Sequence, residues 1–133
     1  MSSSHALLQI GELAQRAGVS HRTIHYYERI GLLRPAEREG AGYRYYDEQA
    51  VQRLEKIAAL KGLGLSLDEI GQVIDLYFDD PSGIKGKEEV LKILETQLQA
   101  TRSKLGEMQA FERDLVANIA RMKTLIEVAR KQS

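Results

Sequence analysis

Ten residues, His21 to Ile30 in HRTIHYYERI, hold two His, two Arg and two Tyr. A helix that only filled a core would be rich in Leu and Ile instead. These side chains are long hydrogen-bond donors. Arg forms paired bonds to phosphate or to a base edge, and a Tyr hydroxyl donates to phosphate oxygen. At about 100° per residue, His21, His25, Arg29, Arg22 and Tyr26 share an arc of roughly 140°, and Ile30, Thr23, Tyr27 and Ile24 occupy the other side. One face suits a core and the other suits a polyanion. Such division is what a DNA recognition helix requires.

The neighbouring sequence supplies the elements to hold that helix. Ile10, Leu13, Ala14 and Ala17 recur at helical spacing, and Gly18 stops the pattern. Ser20 is placed to cap the next helix through its hydroxyl, and Gly31 to end it. Two helices joined by a tight Gly-containing turn make a helix-turn-helix. In RPAEREGAGYRYYDE, Pro35 bars further helix, EGAG has turn chemistry, and YRYY is a short aromatic strand, so a β-hairpin wing is predicted. Asp47 caps a third helix with an apolar stripe of Val51, Leu54, Ile57, Ala58 and Leu60. Ser66 and Glu69 form a capping box for a fourth, which runs to about Phe78.

From Ile84 onward one pattern dominates. Leu91, Leu94, Leu98, Thr101, Leu105, Met108, Glu112, Leu115, Ile119, Met122, Ile126 and Ala129 alternate spacings of 3 and 4 over more than five heptads. A stripe this narrow cannot be buried by one helix alone, so a continuous coiled-coil helix running through Gly106 and a homodimer are predicted. Leu91, Leu94, Leu98, Leu105, Met108, Leu115, Ile119, Met122 and Ile126 are its dimerisation residues. Thr101 and Glu112 either fix register or are polar positions near solvent. The expected organisation is an N-terminal tail over 1–8, a DNA-binding domain over 9–80 and a dimerisation helix over 84–130.

Composition narrows the function. The chain has 133 residues, no Cys and a formal net charge of zero, with 43% hydrophobic and 29% charged residues. That is one small folded domain with an extension. Without Cys there is no disulfide, thiolate zinc site, iron–sulfur ligation or thiol sensing. No apolar run reaches the roughly 20 residues that span a bilayer, so no membrane partner is expected, and the expected location is the cytoplasm. The zero net charge conceals a gradient. Leu13 to Tyr46 holds six Arg against Glu28, Glu37 and Glu39, whereas Asp47 to Ser82 holds eight acids against Arg53, Lys56 and Lys61. Five of the six Tyr also fall between Tyr26 and Tyr46. This basic, aromatic segment is a local footprint for nucleic acid. His21 and His25 are spaced i,i+4 but lack a third ligand, so neither a metal site nor a cofactor is expected. His5 reads as a residue of a disordered tail. Nothing resembles a catalytic triad, a carboxylate pair in a cleft or a phosphate loop, so the chain does not read as an enzyme. The competing function class is a coiled-coil scaffold or adaptor that binds protein rather than DNA.

The segments IGELAQRAGVSHRTIHYYERIGLL, GYRYYDEQAVQRL and GLGLSLDEI resemble, in order and spacing, the MerR family of bacterial transcription regulators. The resemblance covers Leu8 to about Leu76, and the long C-terminal helix is similar to the family's dimerisation helix. It implies a mainly α protein: a winged helix-turn-helix, with a second wing made by the third and fourth helices, followed by an antiparallel coiled-coil dimer. It implies that Ser20, Arg22, Thr23, His25, Tyr26 and Tyr27 of the recognition segment, with Tyr43, Arg44 and neighbouring Tyr46 of the wing, are DNA-binding residues. Tyr27 lies on the core arc, so its contact would come through the hydroxyl. The family's usual Arg before the Tyr pair is here His25, which replaces a two-pronged donor with a single one. The implied mechanism is binding of a palindromic double-stranded promoter, then bending and untwisting of it so that RNA polymerase finds its two elements aligned. A bacterial protein associated with the nucleoid through DNA follows. The family's Cys-based sensing does not carry over. Tyr77 and Phe78, in YFDDPSGIKGKEEVL, mark either a pocket for an unknown small-molecule effector or a hinge packed by aromatics.

Overall fold

The computed structural model describes residues 7–35, 37–39 and 43–132, with side chains for 7–35 and 45–132. Among the described residues, five helices and one antiparallel strand pair follow in the order α1 (Ile10–Ala17), α2 (His21–Arg29), β1 (Glu37–Glu39), β2 (Tyr43–Tyr45), α3 (Glu48–Gly62), α4 (Leu67–Asp79) and α5 (Ile84–Gln132). The chain divides into two compact units, Met1–Leu91 and Lys92–Ser133.

Each helix boundary has a local cause. Gly18 closes α1 with φ 71°, a left-handed conformation that costs glycine nothing. Ser20 Oγ accepts from Thr23 N at 3.0 Å to open α2. At the other end Gly31 takes φ 84°, and Leu32 N donates back to Tyr27 O at 2.9 Å. Asp47 Oδ1 accepts from Ala50 N at 3.1 Å and opens α3. Ser66 and Glu69 exchange bonds at 3.1 and 2.9 Å as a capping box on α4.

The two strands pair antiparallel, with Glu37 opposite Tyr45 and Glu39 opposite Tyr43. Leu8 extends this pairing: its N–H donates to Tyr46 O at 2.7 Å, and its carbonyl accepts from Tyr46 N at 2.8 Å. Leu8, the last residue of the expected N-terminal tail, is thus pinned to the wing base by two backbone bonds. His5 lies outside the described residues.

The core of the first unit gathers Leu13 from α1, Ile24 from α2, Leu33 from the exit of α2, Leu54 and Ile57 from α3, and Ile70, Val73 and Ile74 from α4, together with Tyr46. All are essentially inaccessible to solvent. On α3 the buried alanine is Ala50 rather than the expected Ala58, which is exposed. The stripe drifts around the helix because 3.6 residues per turn does not close on the spacing chosen from sequence.

Between α4 and α5, Asp80 and Ser82 form a side-chain cap. Asp80 Oδ1 accepts from Ser82 N at 3.1 Å, Ser82 Oγ donates to Asp80, and Ile84 N donates to Ser82 Oγ at 3.2 Å. The Ser82 hydrogen bonds hold the Asp80 carboxyl below the usual carboxylate range. A carboxylate whose folded-state pKa is depressed stabilises the fold above its ordinary value, about 4, and loses that contribution as pH falls through the depressed value. In an NMR titration the Ser82 amide should keep its bonded shift at about pH 4 and move only at lower pH. Asp80→Asn should remove that titration while Ser82 keeps a neutral acceptor.

Throughout α5 the heptad leucines and their equivalents face solvent. Leu91, Leu98, Leu105, Met108, Leu115, Ile119, Met122 and Ile126 are all exposed, and Leu94 is half-buried. Gly106 sits inside the continuous helix. No helix among the described residues is long and apolar enough to cross a membrane.

Candidate nucleic-acid interface

The second helix separates by face much as its wheel requires. Ile24 and Tyr27 are buried, at 0% and 6% exposure, whereas His21, Arg22, His25, Tyr26 and Arg29 are exposed. Thr23 is half-buried. Ile30 departs from the expected core arc and is 42% exposed. It is the C-cap, with φ −93° and ψ 5°, so the helical wheel no longer governs its direction. Arg29 stacks its guanidinium 5.5 Å from the centre of the Tyr26 ring, which stiffens two donors on the outer face.

Several expected contact residues have structural duties. Ser20 caps the helix, and its hydroxyl donates to Thr23 Oγ1 at 3.0 Å. Tyr27 lies in the core. Tyr46 is a correction: it is fully buried, so its ring does not belong to the outer surface of the wing. Its aromatic type is visible in the sequence, but its burial goes with the backbone pairing of Tyr46 to Leu8, which spacing does not show. The Tyr46 hydroxyl donates to Glu28 Oε2 at 2.5 Å. The other oxygen, Glu28 Oε1, lies 3.4 Å from His25 Nδ1. Glu28 thus connects the wing base to an exposed residue of the recognition helix, a link with no signal in the sequence. Tyr43 and Arg44 occupy β2, paired with Glu39 and Arg38, and their side chains lie outside the described set.

Arg16, one of the six arginines of the basic segment, is committed elsewhere. It grips Glu48 with two bonds of 2.8 and 2.6 Å, which joins α1 to α3. Each partner favours the other's charged form: the Arg16 guanidinium holds Glu48 below the usual carboxylate range. Both are about half exposed, so the pair adds little stability.

By sequence Arg53 is only a counter-charge in the acidic segment, yet it ties three elements together. Its Nε donates to the Leu32 carbonyl at 2.6 Å, an amine contacts Asp75 Oδ1 at 2.8 Å, and its guanidinium lies 5.7 Å from the Phe78 ring centre. The exit of the recognition helix is thereby fastened to α4. Arg53→Met keeps much of the stem but leaves the Leu32 carbonyl without this donor, at a cost of about 1–3 kcal/mol. For the whole chain that should lower Tm by roughly 4–12 °C, read by calorimetry. An unchanged Tm would show that the guanidinium is dispensable.

Phe78 therefore faces Arg53, whereas Tyr77 packs elsewhere. The Tyr77 ring is approached by both Lys56 and Lys87 and packs against the first turn of α5, where a Cβ added at Gly86 would stand 2.7 Å from ring carbons. The two expected effector or hinge residues are adjacent in sequence but serve different contacts.

A helix-turn-helix whose second helix presents donors, followed by a hairpin and a second helical pair, defines a winged helix-turn-helix DNA-binding protein. The chain belongs to the MerR family of DNA-binding transcription regulators, which are not enzymes. The family of MerR HTH regulatory proteins matches residues 8–76, and the MerR DNA-binding family matches residues 51–117. HmrR, an HTH-type transcriptional regulator of Rhizobium leguminosarum bv. viciae, is 38% identical over 108 residues, which is 81% of each chain. The nodulation protein NolA of Bradyrhizobium elkanii is 49% identical over 67 residues, half of this chain and 31% of NolA. The chain thus spans less than a third of that relative. Among solved structures, the transcription regulator PbrR691 from Ralstonia metallidurans CH34, in complex with lead(II), is similar with 37% identity, a TM-score of 0.65 and 82% coverage of both chains. The EcmrR–DNA complex in EcmrR-RPo is similar with 30% identity, a TM-score of 0.53, and coverage of 80% of this chain and 38% of that one.

Proposed function

We propose that this chain regulates transcription as a homodimer that binds a palindromic promoter site and bends and untwists the duplex for RNA polymerase. The observation that carries the reading is the two-faced second helix: Ile24 and Tyr27 lock it into the core while Arg22, His25 and Tyr26 are exposed on the other side. Arg22 is the leading candidate for base readout, with Thr23, His25 and Tyr26 beside it. Tyr43 and Arg44 of the wing are the candidates for contacts to the flanking DNA backbone. Ser20 and Tyr27 act by holding the helix, through its cap and its buried ring.

Residues 9–80 form the DNA-binding domain and 84–130 the dimerisation helix. The exposed heptad stripe of α5 supports dimerisation, since a row of large apolar side chains in water is stable only when covered. An antiparallel coiled coil would give each dimer two recognition helices related by a two-fold axis, which is what a palindrome demands. The EcmrR–DNA complex in EcmrR-RPo supports promoter DNA and polymerase as partners for this chain as well. Tyr77 and Phe78 mark the position where an effector would act.

Hydroxyl-radical footprinting on the chain's own upstream region tests the arrangement. Two protected half-sites related by symmetry, with enhanced cleavage at the centre, are expected. A single protected half-site would contradict the dimeric reading, and an undistorted centre would contradict bending.

A further inference from the structure

We propose that the cleft between α3, the end of α4 and the start of α5 is a binding site for a small anion bearing phosphate or carboxylate, held by Lys56 and Lys87, which both approach Tyr77. This names the chemistry of the effector position proposed above and rests on that placement.

The cleft is open to solvent and has a volume of about 410 Å³. That is the size of a pocket for a small metabolite. Lys56 Nζ lies 4.3 Å and Lys87 Nζ 5.5 Å from the centre of the same Tyr77 ring. The two lysines come from different helices, so their convergence is a feature of the fold and not of one helix's periodicity. Neither forms an ion pair with a carboxylate among the described residues, and Glu55 is the single acid in the cleft wall. One aromatic face offsets part of a cation's charge but accepts no hydrogen bond along the remaining donors of an ammonium group. Two like charges on one ring also repel each other. An anion seated between them removes the repulsion and accepts from both. Compact ammonium groups are well suited to phosphate as point charges.

The ring that organises the pair is itself fixed. Gly83, with φ 71°, and Gly86 bring the start of α5 so close that any side chain at Gly86 would meet the ring at 2.7 Å. Burial pushes the Tyr77 hydroxyl above its usual range, which keeps it protonated and able to donate. Ser82 and Gln52 add neutral polar groups to the wall. Because Asp80 and Ser82 cap α5 from this same segment, an anion drawn onto Lys87 acts directly on the first turn of α5.

The test uses the full chain without DNA, so it is read separately from promoter binding. Inorganic phosphate and acetate are titrated in turn at constant ionic strength and pH 7, while the Gly83 and Gly86 amide resonances are followed by NMR. Saturable shifts with phosphate alone would assign a phosphate-bearing ligand, and with acetate alone a carboxylate. K56Q/K87Q should weaken that binding at least tenfold with an unchanged melting temperature, whereas K104Q, on the exposed part of α5, should leave it as it was. Linear shifts matching those of chloride for both anions, or saturable binding that survives K56Q/K87Q, would overturn the proposal. Saturable binding in a protein that fails to bind promoter DNA would leave the site standing and remove only its regulatory meaning.

Discussion

Changing Arg22 and Arg44 to Ala together is expected to weaken binding to the cognate promoter duplex by about 2–4 kcal/mol, on the order of 30- to 1,000-fold in Kd. Arg22 stands on the exposed face of α2 with no core role, and Ala is at least as good a helix former as Arg. The fold should therefore survive, with melting temperature and oligomeric state unchanged. Arg22→Ala alone should reduce discrimination at one base pair. Arg44→Ala alone should weaken binding to all duplexes alike and flatten the salt dependence by about one charge. Fluorescence anisotropy with the cognate and a scrambled duplex separates these effects. Retention of full affinity by the double variant would place the DNA contacts on other residues.

An equally large effect is expected at the coiled coil. Leu105 is exposed on α5 in the middle of the heptad stripe. In an assembled coil the change Leu105→Asp puts an unpaired carboxylate into the seam from each protomer, and an uncompensated buried charge costs several kcal/mol. The dimer dissociation constant should rise on the order of 10³-fold or more. Sedimentation velocity at micromolar concentration should then show monomers, and circular dichroism should show loss of helix from Lys92–Ser133, because a long amphipathic helix is poorly stable alone in water. DNA affinity should collapse with it, since two recognition helices no longer arrive together. A dimer unaffected by Leu105→Asp would mean that the stripe is not the interface.

The legible parts of the sequence were those where local chemistry decides structure. Ser20, Asp47 and Ser66 each cap the helix they were assigned to, because a capping oxygen needs only the amides two or three residues ahead. Gly18 and Gly31 take the left-handed conformations that end α1 and α2. The heptad repeat marked α5 as one helix through Gly106, since no phase break accompanied that glycine. Tertiary direction was less visible. Tyr46 and its neighbours in the wing have the same residue type, and only the pairing with Leu8 decides that Tyr46 faces inward. Ile30 followed the core periodicity but fell at the cap, where periodicity ends.

Long-range polar pairs left no trace in spacing. The bridge from Tyr46 through Glu28 towards His25 links positions 18 residues apart, and Arg53 reaches Leu32 across 21. Each depends on which helix faces which. The convergence of Lys56 and Lys87 on Tyr77 is of the same kind: the aromatic was conspicuous in the sequence, but its two cations belong to separate helices. Arg16 belongs to the basic footprint by sequence but is paired with Glu48, so local charge does not identify which arginines of the segment are available.

The central claim, that the exposed face of α2 reads promoter DNA, is tested most directly by titrating the purified chain onto a labelled duplex of its own upstream region across a series of salt concentrations. The account predicts tight binding, a preference of roughly 4 kcal/mol or more over a scrambled duplex, and a steep fall of affinity with salt. Absence of binding to any duplex, by a chain that remains folded and dimeric, would contradict it and leave the coiled coil as a scaffold for protein partners.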